Sequence, residues 1–284
     1  TPIPAPYQYQ LISEGDSKKF PQMDLDAWPD LKLSQYKVQA EGIDKPIAEL
    51  IVAQQGDGPR VLTYWKNSTN EILYNLDRKP SELSALAAVI GKHAPKDALI
   101  LSWWDTSRQI KLLTGHDTLF TSHLNEPLMV PVAWLEQSKA IMAYENQFWE
   151  SSANSKEQEQ FKRFSQALAA SAEEGVAQLR ELIGSNREAY LIVHVTDLYK
   201  LGLMYPDKIG VAYQNFPLTG NMHGMINHMK VQLKENDFNT YTLQSLSDEE
   251  IRVFFLSDEA SSQTLLARML PFVDKTAPTE LELA

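Results

Sequence analysis

Three short stretches hold the residues best suited to chemistry. Trp103-Trp104-Asp105 runs directly into Thr106, Ser107 and Arg108, His194 precedes Thr196 and Asp197, and Tyr213 opens Tyr213-Gln214-Asn215. Together they offer stacking surfaces, one imidazole, two carboxylates and a guanidinium, a set able to grip a polar or aromatic ligand. Each lies at the end of a short apolar run, at Ala98–Leu101, Tyr190–Val195 and Ile209–Tyr213, that reads as a buried strand. If those strands are parallel neighbours in one sheet, their carboxyl ends form a single crest, where open α/β sheets bind ligands. The expected ligand- or partner-binding set is therefore Trp103, Trp104, Asp105, Arg108, His194 and Tyr213.

Other chemistries are less well supported. Asn221 to Met229 packs three thioethers and the imidazoles of His223 and His228 into one stretch, which suggests a soft Cu(I) site. On a helix, however, Met222, Met225, Ile226, Met229 and Leu233 share one stripe, as a core face would. His223 and His228 diverge by about 140° around that helix. Core packing is the expectation there, with a copper enzyme as the alternative. No His-Glu-x-x-His, GxSxG, P-loop or GxGxxG motif occurs. A triad of Ser107, His194 and Asp197 would have to assemble without a nucleophile elbow. No catalytic residue, metal or cofactor is assigned.

The elements that must position these residues can be read in order. Thr1 to Pro29 is rich in proline and polar residues and reads as an extended lead-in or linker, so the domain is placed at residues 31–284. Gln35–Ala40, Ile47–Gln54, Arg60–Trp65 and Ile72–Asn75 are strand candidates, with Gly56-Asp57-Gly58-Pro59 as a hairpin turn. Helical signals then alternate with strands. Ser81 to Ile90 carries Leu83, Leu86, Ala87 and Ile90 on one face. Asp105 stands where a helix N-cap is wanted, with Gly115 as the left-handed stop. It is expected to cap first and touch a ligand second.

Residues 138–184 are mainly helical, with a possible sub-boundary near 135–185, and Ser171-x-x-Glu174 is a capping box. Gly220–Lys234 and Asp258–Leu270 read as helices, and Thr240–Leu243 and Ile251–Leu256 as strands. The fold class is α/β: a mixed, partly parallel sheet with helices on both faces and antiparallel strands at the N-terminus.

At 284 residues, 43% hydrophobic and 22% charged, the chain can bury a full core. A net charge of −11 argues against nucleic acid or anionic lipid as main partner and suits solubility or a basic partner such as a c-type cytochrome. Without cysteine there is no disulfide, no thiolate-ligated metal and no covalently attached c-type haem. No stretch approaches the ~20 apolar residues of a membrane span. The chain opens on Thr1 rather than Met, which is compatible with an anchor or signal peptide ahead of it.

The run LSWWDTSRQIKLLTGHDTLF, and later YLIVHVTDLYKLG with KIGVAYQNFPLTGNMHGMINHMK, resembles the HaoB family over most of the chain. These are membrane-anchored proteins encoded beside hydroxylamine oxidoreductase in ammonia-oxidising and some methane-oxidising bacteria. The resemblance implies a periplasmic domain held at the inner membrane by an N-terminal helix absent here. It also implies a non-catalytic accessory role in hydroxylamine oxidation, docking or maturing a multihaem oxidoreductase. It transfers no catalytic residues. Trp103-Trp104-Asp105 is also similar to the WWD motif of oligosaccharyltransferase catalytic subunits. Here Thr106-Ser107 replaces Tyr-Gly and the membrane-embedded part is missing, so at most an extracytoplasmic ligand- or peptide-binding architecture is shared.

Overall fold

The computed structural model describes residues 4–68, 78–150, 155–184, 187–218, 222–236, 238 and 240–274, without the side chains of 222, 223, 225, 232, 233, 273 and 274. The strand expected at Ile72–Asn75 lies outside them. The chain divides into two compact units, Thr1–Glu159 with Arg187–Ile192, and Gln160–Asn186 with Val193–Ala284.

The first unit opens with four antiparallel strands in sequential order: β1 (Tyr7–Gly15), β2 (Leu31–Ala40), β3 (Ala48–Gln55) and β4 (Val61–Asn67). Side chains alternate between faces along a strand, and both faces of this sheet are buried. Val38 and Ala40 of β2 join Ala48, Leu50 and Val52 of β3 in one cluster, covered by Ile141 and Trp149. Leu31 and Leu33 join Ile51 and Ala53 in the other, covered by Leu83, Ala87 and Leu113. Those covers come from α1 (Glu82–His93), α2 (Trp104–Thr114) and α3 (Ser138–Phe148) with its C-cap Trp149. β5 (Leu99–Leu101) leads into α2, and β6 (Asp117–Thr118) follows it. β7 (Ala189–Leu191) pairs with β5, giving a small parallel sheet in the order β6-β5-β7. α4 (Ser155–Ala169) runs across the boundary between units.

In the second unit α5 (Ala172–Ile183), α6 (Thr196–Met204), β8 (Val211–Pro217), α7 (Met222–Glu235), β9 (Thr240–Ser245) and β10 (Glu250–Leu256) are followed by two short helices, α8 (Glu259–Ser262) and α9 (Leu265–Met269), and by β11 (Val273–Asp274). The antiparallel order is β11-β9-β10-β8. Central β10 is buried from Ile251 to Leu256 and packs with Phe216, Ile226, Met229 and Tyr241.

The mixed α/β class, the antiparallel N-terminal sheet and a small parallel sheet are present. Three expectations change. Ile209–Tyr213 does not share a sheet with β5 and β7, because β8 pairs antiparallel with the free edge of β10, Tyr213 opposite Phe254. Residues 7–15 of the lead-in are extended but paired as β1. The single helix expected over Asp258–Leu270 breaks at Thr264, which is extended (φ −64°, ψ 150°) and accepts from the Ala267 N–H to start α9. Gly115 (φ 72°) stops α2 as expected, and the Ser171 hydroxyl accepts from the Glu174 N–H.

Gly175 is a sharp test of the packing of α5. A methyl group there would collide with the Ala167 carbonyl and come within 2.8 Å of Leu265 Cδ2. Glycine to alanine inside a helix ordinarily gains about 1 kcal/mol, whereas forced overpacking costs about 1–3. Gly175→Ala is therefore expected to lower the melting temperature, and a rise would show that α5 does not pack this closely.

Candidate functional site

β5 delivers the chain into the expected crest, but the crest is closed. Trp103 and Trp104 are only 1% and 4% exposed. An indole N–H seldom stays buried without an acceptor, and both point at one carbonyl, Glu126 O, at 3.2 and 2.6 Å. Neither ring offers an open stacking face. Asp105 is not the N-cap. Trp103 takes that position, its carbonyl accepting from Ser107 N at 2.8 Å. Asp105 is one residue inside the helix, and its Oδ1 accepts from the Thr106 N–H at 2.7 Å, near the positive end of the helix dipole. The Ser107 hydroxyl is fully buried against that of Ser102 at 2.8 Å, where it cannot serve as an exposed nucleophile.

Arg108 reaches back from α2 into a buried layer. Its guanidinium donates to the carbonyls of Arg60 (2.8 Å) and Thr121 (3.2 Å) and to His123 Nδ1 (3.2 Å). An arginine only donates, so Nδ1 is the acceptor and the imidazole is neutral. The ring lies flat on Trp149, centroids 4.6 Å apart at 12°, and meets Trp104 edge-on at 4.5 Å. The Thr121–His123 turn is held by Glu157, whose Oε1 accepts from the N–H groups of Thr121 (2.5 Å) and Ser122 (3.0 Å). Burial, reinforced by the Arg108 charge, pushes the His123 pKa well below its usual value.

Beyond Trp149 lies the most demanding group in the unit. Glu145 of α3 is 0% exposed and accepts from the Tyr7 hydroxyl (2.5 Å), the Tyr9 hydroxyl (2.6 Å) and Trp149 Nε1 (2.8 Å). The Tyr144 hydroxyl accepts from the Tyr9 N–H at 2.7 Å. Burial raises the Glu145 pKa while the three donors pull it down, and the net shift is upward. The Tyr7 phenol is pushed far up by burial and by the neighbouring carboxylate, so it stays protonated.

His194 and Tyr213 belong to the second unit. His194 donates its backbone N–H to Asp197 Oδ2 at 2.8 Å, and its Nδ1 lies 2.7 Å from Thr196 Oγ1. Tyr213 carries the Arg252 guanidinium 4.8 Å from its ring centre. Ile226 and Met229 are buried as the helical stripe requires. Met222, Met225 and His223 fall among the side chains not described, and His228 is exposed, edge-on to Phe216 at 5.5 Å. Among the described residues no group of three His, Asp or Glu side chains is placed to hold a metal.

Sequence reading missed Tyr7, Tyr9, His123, Glu145 and Trp149. Two signals pointed to them: Tyr7 and Tyr9 share a face at strand spacing, and Glu145 and Trp149 share one at helical spacing. It also passed over the unbroken apolar run Leu128–Leu135. Leu128, Val130 and Trp134 pack inward from that run, while Val132 is 85% and Leu135 55% exposed. The cavity between the run and Tyr7, Tyr9 and Trp65 holds about 20 Å³, room for roughly one water.

The first unit thus presents a packed polar-aromatic layer beside an exposed apolar edge. The family model for the HaoA-associated protein HaoB matches residues 1–284, and the chain belongs to that family. No curated protein and no solved structure matches it.

Two outcomes test the layer. Glu145→Ala removes the acceptor of three buried hydrogen bonds, each worth about 1 kcal/mol, and is expected to lose roughly 3 kcal/mol in denaturant titrations, a larger loss than Glu145→Gln. Equal stability of both variants with the parent would contradict the geometry. His123 adds a pH effect. Its folded pKa is depressed below the usual 6.5, so below that pH the unfolded chain binds a proton that the folded chain refuses, and stability falls. The loss on lowering pH from about 6.5 towards 5 is expected to shrink in His123→Gln. Parallel stability curves for the two proteins would show that His123 is not held neutral.

Proposed function

We propose that the chain is a non-catalytic accessory protein of hydroxylamine oxidation that docks the oxidoreductase HaoA or assists its maturation. The observation that carries this reading is the match over the whole chain to a family whose name ties it to HaoA. A periplasmic location and an N-terminal membrane anchor, which the family resemblance implies, belong to the same proposal.

The first unit supplies the surface. Val132 and Leu135 project from a run in which half-buried Leu128, Val130 and Trp134 pack against the core, so the exposed side chains are backed by the sheet. Exposed apolar side chains backed by packed aromatics are the raw material of interface hot spots. Binding of a small molecule is less well supported, since two pockets among the described residues, one against Tyr7 and Tyr9 and one against Asp105, each hold about 20 Å³. Typical ligand sites are several hundred Å³.

The test is equilibrium binding of the purified chain to purified HaoA. Saturable binding is expected, weakened at least tenfold in Val132→Asp/Leu135→Asp at an unchanged melting temperature, because both side chains are free of the core. Absence of binding by the parent chain at low and moderate salt would overturn the docking proposal.

A further inference from the structure

The buried layer has a property that docking does not use. Its aromatic rings form an unbroken series from a half-buried residue to the core. Trp134 lies 5.5 Å from Tyr7, Tyr7 lies 5.7 Å from Tyr9, and Tyr9 lies 6.3 Å from Trp149. Both phenols donate to one buried carboxylate, Glu145, at 2.5 and 2.6 Å. We propose that Tyr7, Tyr9 and Glu145 form a proton-coupled redox relay, which takes up single oxidising equivalents that enter at Trp134.

The chemistry follows from the phenol. A tyrosine that loses an electron becomes a very strong acid, so a buried tyrosine is oxidised readily only when a base stands at hydrogen-bond distance to take its proton. Glu145 is that base for either ring. Burial makes its carboxylate more basic than an exposed one, which favours the transfer. The co-reactant is a one-electron oxidant of high potential, of the class of a haem oxidised beyond the ferric state. In the step, the oxidant gains one electron, the Tyr7 (or Tyr9) O–H bond breaks to leave a neutral phenoxyl radical, and the proton forms a new O–H bond on Glu145. The chain contains no cysteine, so no thiol competes for the oxidising equivalent.

Two features separate this arrangement from ordinary aromatic packing. A carboxylate needing only structural donors could take them from backbone N–H groups, as Glu157 does from Thr121 and Ser122. The Glu145 carboxylate instead accepts from three oxidisable rings, Tyr7, Tyr9 and Trp149. The ring series also ends at Trp134, between the exposed Val132 and Leu135, where an oxidant outside the protein can approach. Tyr190 offers an internal comparison: its hydroxyl donates to Glu188 at 2.6 Å, but on the surface, where water can also take the proton.

The experiment needs no partner protein, so its failure is distinct from failure of the docking reading. The whole chain is flash-oxidised with photogenerated tris(bipyridine)ruthenium(III) and followed by transient absorption and freeze-quench electron paramagnetic resonance. A tryptophan radical is expected to decay into a tyrosyl radical, with a solvent deuterium isotope effect. In Tyr7→Phe/Tyr9→Phe, which keeps the rings and removes the hydroxyls, the long-lived tyrosyl yield should fall at least threefold and the tryptophan radical should persist. Glu145→Gln should slow tyrosyl formation about tenfold, and Tyr190→Phe should change neither. Should Glu145→Gln not fold, the double phenylalanine variant and the isotope effect still decide. Unchanged yield and kinetics in the double variant, or a tyrosyl signal lost only in Tyr190→Phe, would overturn the relay.

Discussion

A carboxylate with no access to water must be hydrogen-bonded on nearly every side or give up its charge. Glu145 is that carboxylate, and satisfying it ties β1 to α3 and to Trp149. Two donors come from β1 and one from the residue a turn further along its own helical stretch. Because strand side chains alternate, a one-residue slip of β1 would turn both phenols away together. The register of Tyr7 opposite Ala40 and Tyr9 opposite Val38 is thereby tied to helix α3. A segment whose composition suggests a linker becomes the edge strand of a sheet.

From Trp149 the order passes outward through rings rather than charges. The indole supports the neutral His123 face, His123 meets Trp104, and Arg108 ties the imidazole to the backbone at Arg60 and Thr121. The two adjacent tryptophans at the start of α2 are thus a hinge pin for the Glu126 carbonyl, and through it for the apolar edge that follows. Both indoles are spent on that carbonyl and on the core, so neither carries an open stacking face.

Local rules were legible where local interactions decide. The strand periodicity of β2 and β3, the left-handed stop at Gly115 and the Ser171–Glu174 cap all follow from residue type and spacing. What the sequence concealed depends on partners distant in the chain. Tyr7 and Glu145 are 138 residues apart, and no periodicity announces that pair. Asp105 has a residue type that suits a cap, yet Trp103 occupies that position and Asp105 is the second residue of the helix. The continuous apolar run of β10 concealed that its second edge would accept β8 rather than leave Ile209–Tyr213 beside the parallel strands. Membership of the HaoB family was legible from two segments and extends over the whole chain.

The central claim is that this chain meets HaoA through the apolar edge that packs on the buried layer. Amide hydrogen exchange of the chain, alone and with saturating HaoA, addresses it directly. Peptides covering Leu128–Gln137 are expected to gain protection on complex formation, while those from β9 and β10 keep their own rates. A complex that forms with no added protection over Leu128–Gln137 would contradict the account.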